Sequence, residues 1–343
     1  MSWTSLFIPD AGGRSRPSPV SSRFVPGAVV VADRLRVGIV GDARWRYSAE
    51  ADWSDAFQAE GHQVTMLHER EAHGPDVVTL AARSDVLLWV SSDHRLSQDV
   101  MRRAGDRCVT VAWHPDLFFG LRNRRDAWRD SPMWAAQFVF SADGGNDDEW
   151  DRLGVDRRWL LPGVRERWTT TPGRLRSSFQ ADVAFVGNDG SSYHPEWSYR
   201  SELVEALRSM CDRNGWRFLN PGGSSRRVER NSRMNDLYSS VSVTVGDSLC
   251  FDREQARYWS DRVFEATGRG GVLVMPEIDV LRRDAGDAVE FYRWGDFDDL
   301  EDVVAGLLAD KGRRDGLREA GRVWCRERHL YRHRVRTLLE AVL

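Results

Sequence analysis

The stretch YWSDRVFEATGRGGVLVMP, Tyr258–Pro276, reads as a helix, a glycine turn and a buried strand in immediate succession. Ser260 is suited to cap the helix and Asp261 to its positively polarised first turn. Gly270 and Gly271 can close it, because glycine accepts the left-handed backbone that ends helices. Val272 to Met275 is a short apolar run of the kind that fills the middle of a parallel sheet. A helix feeding such a strand puts Glu265 near the mouth of an α/β sheet, where these folds hold ligands. Taken alone, the acid is as readable as an exposed helical Glu, and the rest of the chain has to decide.

Upstream of this stretch the same alternation recurs twice over. RLRVGIVGD (34–42) is a strand ending in a glycine turn, followed by a helix around Trp53–Glu60 and the strand QVTMLHE. Helix PDVVTLAARS, strand DVLLWV, helix QDVMRRAG, strand CVTVAWHPD and the strand-turn VFSADGG (139–145) continue the pattern. WLLPGVRERWTTTPGRLRSSF (159–179) then breaks it with Pro, Gly and Thr and reads as a connection. DVAFVGN (182–188) starts again, followed by helix EWSYRSELVEALRSMCDRNG, strand WRFLN, helix MNDLYSSV and strand SVTVG before the opening stretch. Two closing helices, DDLEDVVAGLLAD and GLREAGRVWCRERH, follow it. Strands alternating with helices at this spacing imply doubly wound parallel sheets. The expected division is a flexible tail over 1–33, Rossmann-like domains over 34–170 and 171–325, and a final helix over 326–343 that packs back on the first domain.

Composition narrows the class. The 343 residues are 41% hydrophobic with a net charge of −3, enough for ordinary cores and not the balance of a general polyanion binder. No apolar run approaches the roughly 18 residues of a membrane span. The four cysteines, Cys108, Cys211, Cys250 and Cys325, stand apart with no CxxC pair, which suits a reducing cytoplasm and offers neither disulfide framework nor zinc site. Lys311 is the only lysine, so Arg carries almost all the positive charge and can grip phosphate through two parallel hydrogen bonds.

The chemistry concentrates in the second half. The turn at Gly187 and Asn188 ends a strand and precedes a helix, leaving backbone N–H groups for a phosphate. Arg200 lies on that helix, and Arg262 opens the later helix beside Glu265. A carboxylate there matches the paired hydroxyls of a ribose, and the glycines from Gly268 onward allow close backbone approach. Turn, arginine and acid together suggest a nucleoside-diphosphate site.

FVGN, LYSSVSVTVGDS, YWSDRVFEATGRGGVLV and the closing REAGRVWCRERHLYRHRVRTLL resemble the GT-B glycosyltransferases, two Rossmann-like domains facing across a cleft. Within them the resemblance is to the family 4-like branch of spore-crust-type and actinobacteriophage enzymes, and WHPDLFFGL, FSADGGNDDEW and LLPGV fit the phage type. The resemblance spans roughly residues 34–343. It implies a retaining transferase using a nucleoside-diphosphate sugar; UDP-sugar is the favoured donor and a cytoplasmic setting is expected. With no His, Cys or Asp cluster at metal spacing, no metal or other cofactor is expected. The resemblance also implies Glu265 as the ribose acid, Gly187, Asn188 and Arg200 at the phosphates, and Gly246, Asp247 and Ser248 at the sugar. One departure is Arg257, where many family 4 enzymes carry a second Glu eight residues before the ribose acid.

In the first half His114, Asp116 and Asp143 end inferred strands and are the candidates for acceptor binding or proton transfer, with Asp42 a weaker member. An inverting enzyme would need Asp116 or His114 as general base, whereas in a retaining one the leaving phosphate can take the acceptor proton. The resemblance points to a virion protein or a modified DNA base as acceptor. For DNA, Arg226, Arg227, Arg230 and Arg233 form one basic patch, readable also as a solvated face. Asp296-Phe297-Asp298 has the DxD form of a metal site but directly precedes a helical run, where Asp is the expected cap. Two other functions are compatible with the scaffold: a catalytically idle nucleotide-sugar binder or surface-layer protein, and a nucleotide-sugar epimerase.

Overall fold

The computed structural model describes residues 34–44, 46–90, 96–120, 131–188, 197–222, 228–249 and 257–343, which belong to one compact unit. Six parallel strands form one sheet: β1 (Arg36–Gly41), β2 (Gln63–His68), β3 (Val86–Val90), β4 (Val109–His114), β5 (Phe138–Ser141) and β6 (Arg157–Trp159). They lie in the order β2-β1-β3-β4-β5-β6. Five more, β7 (Ala181–Phe185), β8 (Phe218–Leu219), β9 (Val241–Val245), β10 (Leu273–Pro276) and β11 (Glu290–Tyr292), make a second parallel sheet ordered β11-β10-β9-β7-β8. The α/β architecture read from the sequence is therefore present twice.

The connecting helices are α1 (Ala49–Ala59), α2 (Gly74–Ala81), α3 (Gln98–Gly105), α4 (Asp147–Leu153), α5 (Glu166–Thr170) and α6 (Tyr199–Asn214) in the first part of the chain. After them come α7 (Ser232–Ser240), α8 (Asp261–Gly268), α9 (Asp279–Ala285), α10 (Phe297–Ala309), α11 (Lys311–Arg328) and α12 (Tyr331–Val342). None of the described helices is long and apolar enough to cross a membrane. All of Val86–Val90 is buried, as expected of a central strand covered on both faces. β6 and β11 carry no such signal: each has only three residues, RRW and EFY, too few to show a period. The segment that reads as a plain connection also contains α5.

Strand order fixes where ligands can sit. In the second sheet the chain winds outward in one direction from β7 to β8 and in the other from β9 to β11, so the order reverses between β7 and β9. Loops leaving the carboxyl ends of those two strands diverge and open a crevice, the usual ligand position of open α/β sheets. The residues that follow β7 are Gly187 and Asn188, and those that follow β9 are Gly246, Asp247 and Ser248.

The chain passes between the two sheets along adjacent paths. Val164 pairs with Leu330 in a parallel bridge, with Val164 N donating to His329 O at 2.9 Å and Tyr331 N to Val164 O at 3.2 Å. Gly163 is required by this approach, since a Cβ there would lie 2.7 Å from His329 O. This is the physical content of the LLPGV motif. Arg334 adds its Nε and Nη2 on Pro162 O at 3.1 and 3.0 Å. Beyond the crossing, Tyr331, Val335 and Leu338 of α12 join the first-sheet core beside Trp53 and Trp113. Full burial of an aliphatic side chain such as Val335 or Leu338 contributes about 1.5–3 kcal/mol, which holds the terminal helix on that sheet.

Candidate functional site

At the β7/β9 crevice the structure brings Gly187, Asn188, Arg200, Asp247 and Arg262 into one cluster. Gly187 has φ of +148°, a left-handed value that disfavours a side chain, and a Cβ there would meet the Arg262 guanidinium carbon at 3.2 Å. Its turn is pinned from β8: Gly187 N donates to Pro221 O at 2.8 Å, and Asn220 Nδ2 donates to Phe185 O and Gly187 O at 2.8 and 2.9 Å. Asp247 is buried and its Oδ2 accepts from Arg200 Nε at 2.9 Å and Trp197 Nε1 at 3.3 Å. Arg200 Nη1 reaches Asn188 Oδ1 at 3.4 Å.

Three buried polar atoms at this crevice have no hydrogen-bond partner among the described residues: Asp247 Oδ1, Arg262 Nη1 and Ser260 Oγ. Arg262 Nη1 and Asp247 Oδ1 are 3.9 Å apart, too far to bond each other. Ser260 occupies the N-cap of α8, but its hydroxyl caps nothing. A guanidinium and a hydroxyl with unspent donors, next to a helix N-terminus and a glycine turn, suit an anion. The unspent acceptor on Asp247 suits a hydroxyl donor beside it.

Glu265 stands one turn deeper in α8 and belongs to a different cluster. It is buried, with Oε1 accepting from Arg230 Nη2 at 3.0 Å and Oε2 from Arg269 Nε at 2.6 Å. Burial by itself would raise its pKa, but Arg230 and Arg269 outweigh that and hold it below the usual carboxylate range. Arg230 also meets Asp261 at 3.1 Å and, across the gap from the first sheet, Asp52 of α1 at 3.5 Å. Asp52 in turn accepts from Arg165 Nε at 2.5 Å. Its own carboxyl is pushed up to about 6 by burial, against the pull of Arg230 and Arg165. The acid expected to meet a ribose is thus tied into an ion-pair chain that joins the two sheets.

The other expected glycines stand in close packing. A Cβ on Gly268 would meet Val164 at 2.8 Å and Cys325 at 3.3 Å, and one on Gly246 would meet Met275 at 2.6 Å. Around Gly270, at φ of +80°, the Arg322 guanidinium fills the space, and Tyr238 lies against Gly271. What the GRGG turn admits closely is therefore Arg322 and Tyr238.

On the facing side, His114, Asp116 and Asp143 are close in space but differ in use. Asp143 is spent: its oxygens accept from the backbone N–H of Phe118 (3.2 Å), Phe119 (3.5 Å) and Gly145 (3.1 Å) and from Asn146 Nδ2 (3.3 Å). Burial raises its pKa despite these bonds, and its work is to hold the 114–119 loop. His114 is buried with Nδ1 2.9 Å from Asp116 O. That carbonyl can only accept, so the neutral ring carries its proton on Nδ1 and Nε2 is the acceptor nitrogen. Asp116 Oδ1 accepts from Tyr258 OH at 3.2 Å, and Tyr258 O accepts from Ser248 Oγ at 3.0 Å. Ser248 and Asp116, expected on opposite substrates, are linked through one tyrosine. Asp42 lies apart, 3.4 Å from His68.

Arg257 is exposed; its carbonyl accepts from Gly144 N at 3.1 Å and its Nη1 lies 3.9 Å from Asp147. It faces the first-sheet side, not the donor crevice. Two members of the expected basic patch are described, and they turn to different partners. Arg230 turns inward to Asp52, Asp261 and Glu265, Arg233 lies over the Phe179 ring at 5.8 Å, and Arg226 and Arg227 fall outside the described residues. Asp296 Oδ1 accepts from Asp299 N at 2.9 Å as the N-cap of α10, so the DxD form is a helix cap.

Residues 176–340 match the family profile described as glycosyl transferase-like. The match covers just under half of the chain. A comparison with curated protein sequences finds no match. Among solved structures, an alpha-glucosyltransferase in complex with UDP and a 13-mer DNA containing a central A:G mismatch superposes with TM-score 0.68 at 12% identity, over 90% of this chain and 99% of that one. A glycosyltransferase from Rickettsia africae gives TM-score 0.57 at 11% identity, over 91% and 98%. Sucrose-phosphate synthase from Thermosynechococcus elongatus gives 0.53 at 10% identity, over 89% and 97%. At such identities the likeness establishes the fold, which is GT-B. With a glycosyl transferase-like region on that fold, the chain is an enzyme of the glycosyltransferase type.

Proposed function

We propose that the protein transfers a sugar from a nucleoside-diphosphate sugar, UDP-sugar favoured, to an acceptor held against the first sheet. The observation that carries this is the β7/β9 crevice, where Arg262 Nη1, Ser260 Oγ and Asp247 Oδ1 are buried and unspent beside the Gly187 turn. In this reading Arg262, Arg200 and the α8 N-terminus take the diphosphate and stabilise the charge that grows on it as the sugar leaves. Asp247 and Ser248 orient the sugar. UDP in a fold neighbour supports the choice of nucleotide.

The reaction is proposed as retaining and metal-independent, with the departing phosphate taking the acceptor proton. Asp116 and His114 then position the acceptor hydroxyl, and Tyr258 carries the contact between the two halves. A cytoplasmic setting and the phage-type branch belong to the same proposal and rest on the sequence motifs. The acceptor is proposed to be a macromolecule, either a hydroxyl-bearing modified DNA base or a virion protein.

The test is calorimetric titration of UDP, GDP, ADP and dTDP into the wild-type protein and Arg262→Ala. Micromolar binding of one nucleotide that the substitution weakens supports the donor site. Binding by none of them removes it and favours an idle scaffold. Release of a free altered sugar nucleotide without acceptor indicates an epimerase.

A further inference from the structure

We infer that the first half of the chain carries an arginine-lined anion pocket for a phosphodiester of a nucleic-acid acceptor. The pocket, of about 380 Å³, lies where β1 gives way to α1 and is lined by Arg44, Arg46, Arg165 and Arg167 together with Asp55 and Met66. It opens at the carboxyl edge of the first sheet. Its wall is tied to the donor half, because Arg165 bonds Asp52, which Arg230 also meets. This inference rests on the proposed transfer reaction and names the class of its acceptor.

The four arginines differ in what they have left to give. Arg165 is buried and neutralised, with Nε on Asp52 at 2.5 Å and Nη1 on Asp55 at 2.8 Å. Arg44 has a loose partner in exposed Glu71 at 3.7 Å. Arg46 and Arg167 are exposed and have no carboxylate partner among the described residues. Arg167 is held in place by its guanidinium lying over the Trp168 ring at 4.3 Å, and the Arg46 carbonyl is 3.5 Å from Arg165 Nη2. Two guanidinium groups without carboxylate partners among the described residues, lining one pocket with a neutralised third, favour a bidentate oxyanion over a point charge.

Size selects among anions. A cavity of about 380 Å³ has room for a phosphate together with its sugar, more than one carboxylate fills. The chain is acidic overall at −3, so this local excess of positive charge is a directed feature. The inward-turned Arg230 cannot reach the phosphates of an acceptor, and Arg46 and Arg167 can.

The experiment is fluorescence anisotropy of a labelled oligonucleotide duplex and its single strand with the wild-type protein and Arg46→Ala/Arg167→Ala, from 50 to 200 mM salt. Competitors are inorganic phosphate and poly-glutamate. The expected result is salt-dependent binding whose slope of log affinity against log salt falls by about 1.8 in the double variant, about 0.9 for each duplex phosphate that is no longer neutralised. UDP affinity of the double variant should equal wild type, which shows that it is folded. Equal oligonucleotide binding by the two proteins overturns the inference, as does preference for poly-glutamate or binding of inorganic phosphate alone. Loss of UDP binding in wild type with arginine-dependent oligonucleotide binding intact would sink the donor site and leave this pocket standing.

Discussion

Replacing Glu265 by Gln tests whether this acid is a strut, a ligand for ribose, or both. Gln keeps the size and one acceptor oxygen but removes the charge between Arg230 and Arg269. Arg230 retains Asp52 and Asp261. Arg269 is fully buried, and its other partners are neutral: the carbonyls of Asn231 and Arg230, Asn235 Oδ1 and the face of Trp168 at 4.7 Å. The substitution therefore strands a buried guanidinium. Removing one member of a buried ion pair costs about 3–5 kcal/mol, and the retained oxygen places Glu265→Gln near about 3. Against a typical total of about 5–15 kcal/mol, the variant should stay folded with a clearly lowered midpoint. The assay is urea unfolding followed by tryptophan fluorescence, with the slope of the transition checked for constancy. A decrease under about 1 kcal/mol would refute the ion-pair account. UDP titration of the same variant, at a temperature where it is folded, separates the roles: unchanged affinity with lowered stability makes Glu265 a strut, and a fall in both makes it also a ribose ligand.

Other perturbations give distinct outcomes. Arg262→Ala removes one charge-assisted hydrogen bond to the diphosphate, worth about 1.5–3 kcal/mol, so calorimetry should show UDP affinity lower by roughly ten- to a hundredfold with stability almost unchanged. Gly187→Ala puts a Cβ 3.2 Å from the Arg262 guanidinium at a φ of +148°, so it should lower both the unfolding midpoint and UDP affinity; a neutral result would show that the turn is not rigid. Asp52 has a folded pKa raised from 3.8 to about 6, so its protonated form is favoured by folding. The stability it contributes is complete below pH 3.8 and is lost as pH rises to about 6, by up to about 3 kcal/mol. Asp52→Asn should therefore gain on wild type between those values in urea midpoints measured across that range, and a trend in the opposite direction would exclude the assignment. Asp296→Ala should cost about 1 kcal/mol of stability through the missing helix cap and leave transfer activity insensitive to the change; abolished activity would revive a metal role for the DxD form.

The fold is legible because its signals are local. Alternating strands and helices recur every few tens of residues, and runs such as DVLLWV and VSVTV declare buried parallel strands without help from the rest of the chain. The cluster at the β7/β9 crevice is legible for the same reason: Gly187, Asn188, Arg200, Asp247 and Arg262 follow strand ends or open helices, and strand order then brings those ends together. β6 and β11 are not legible, because three-residue strands pair at a sheet edge only once their neighbours are in place.

What the sequence hides are the partners that reach across long separations. Asp52 and Arg230 are 178 positions apart and Arg165 and Asp52 are 113 apart, so no spacing rule couples them. Arg230 reads as one of four arginines on a solvated patch, although its side chain turns inward to three acids. Arg269 reads as part of a glycine turn, although it supplies charge that keeps Glu265 ionised in the interior. The signal that could have found them is charge balance. A Glu placed between Val263-Phe264 and a buried strand must be paired if it is ionised, and a helix offers a partner four residues on, at Arg269. The second partner then has to come from another element, and the loop ahead of α7 in that sheet supplies Arg230. Pairing Glu265 from both sides also ties α8 to α1 through Arg230 and Asp52, so the acid read as a ligand for the donor is a member of the linkage between the two halves.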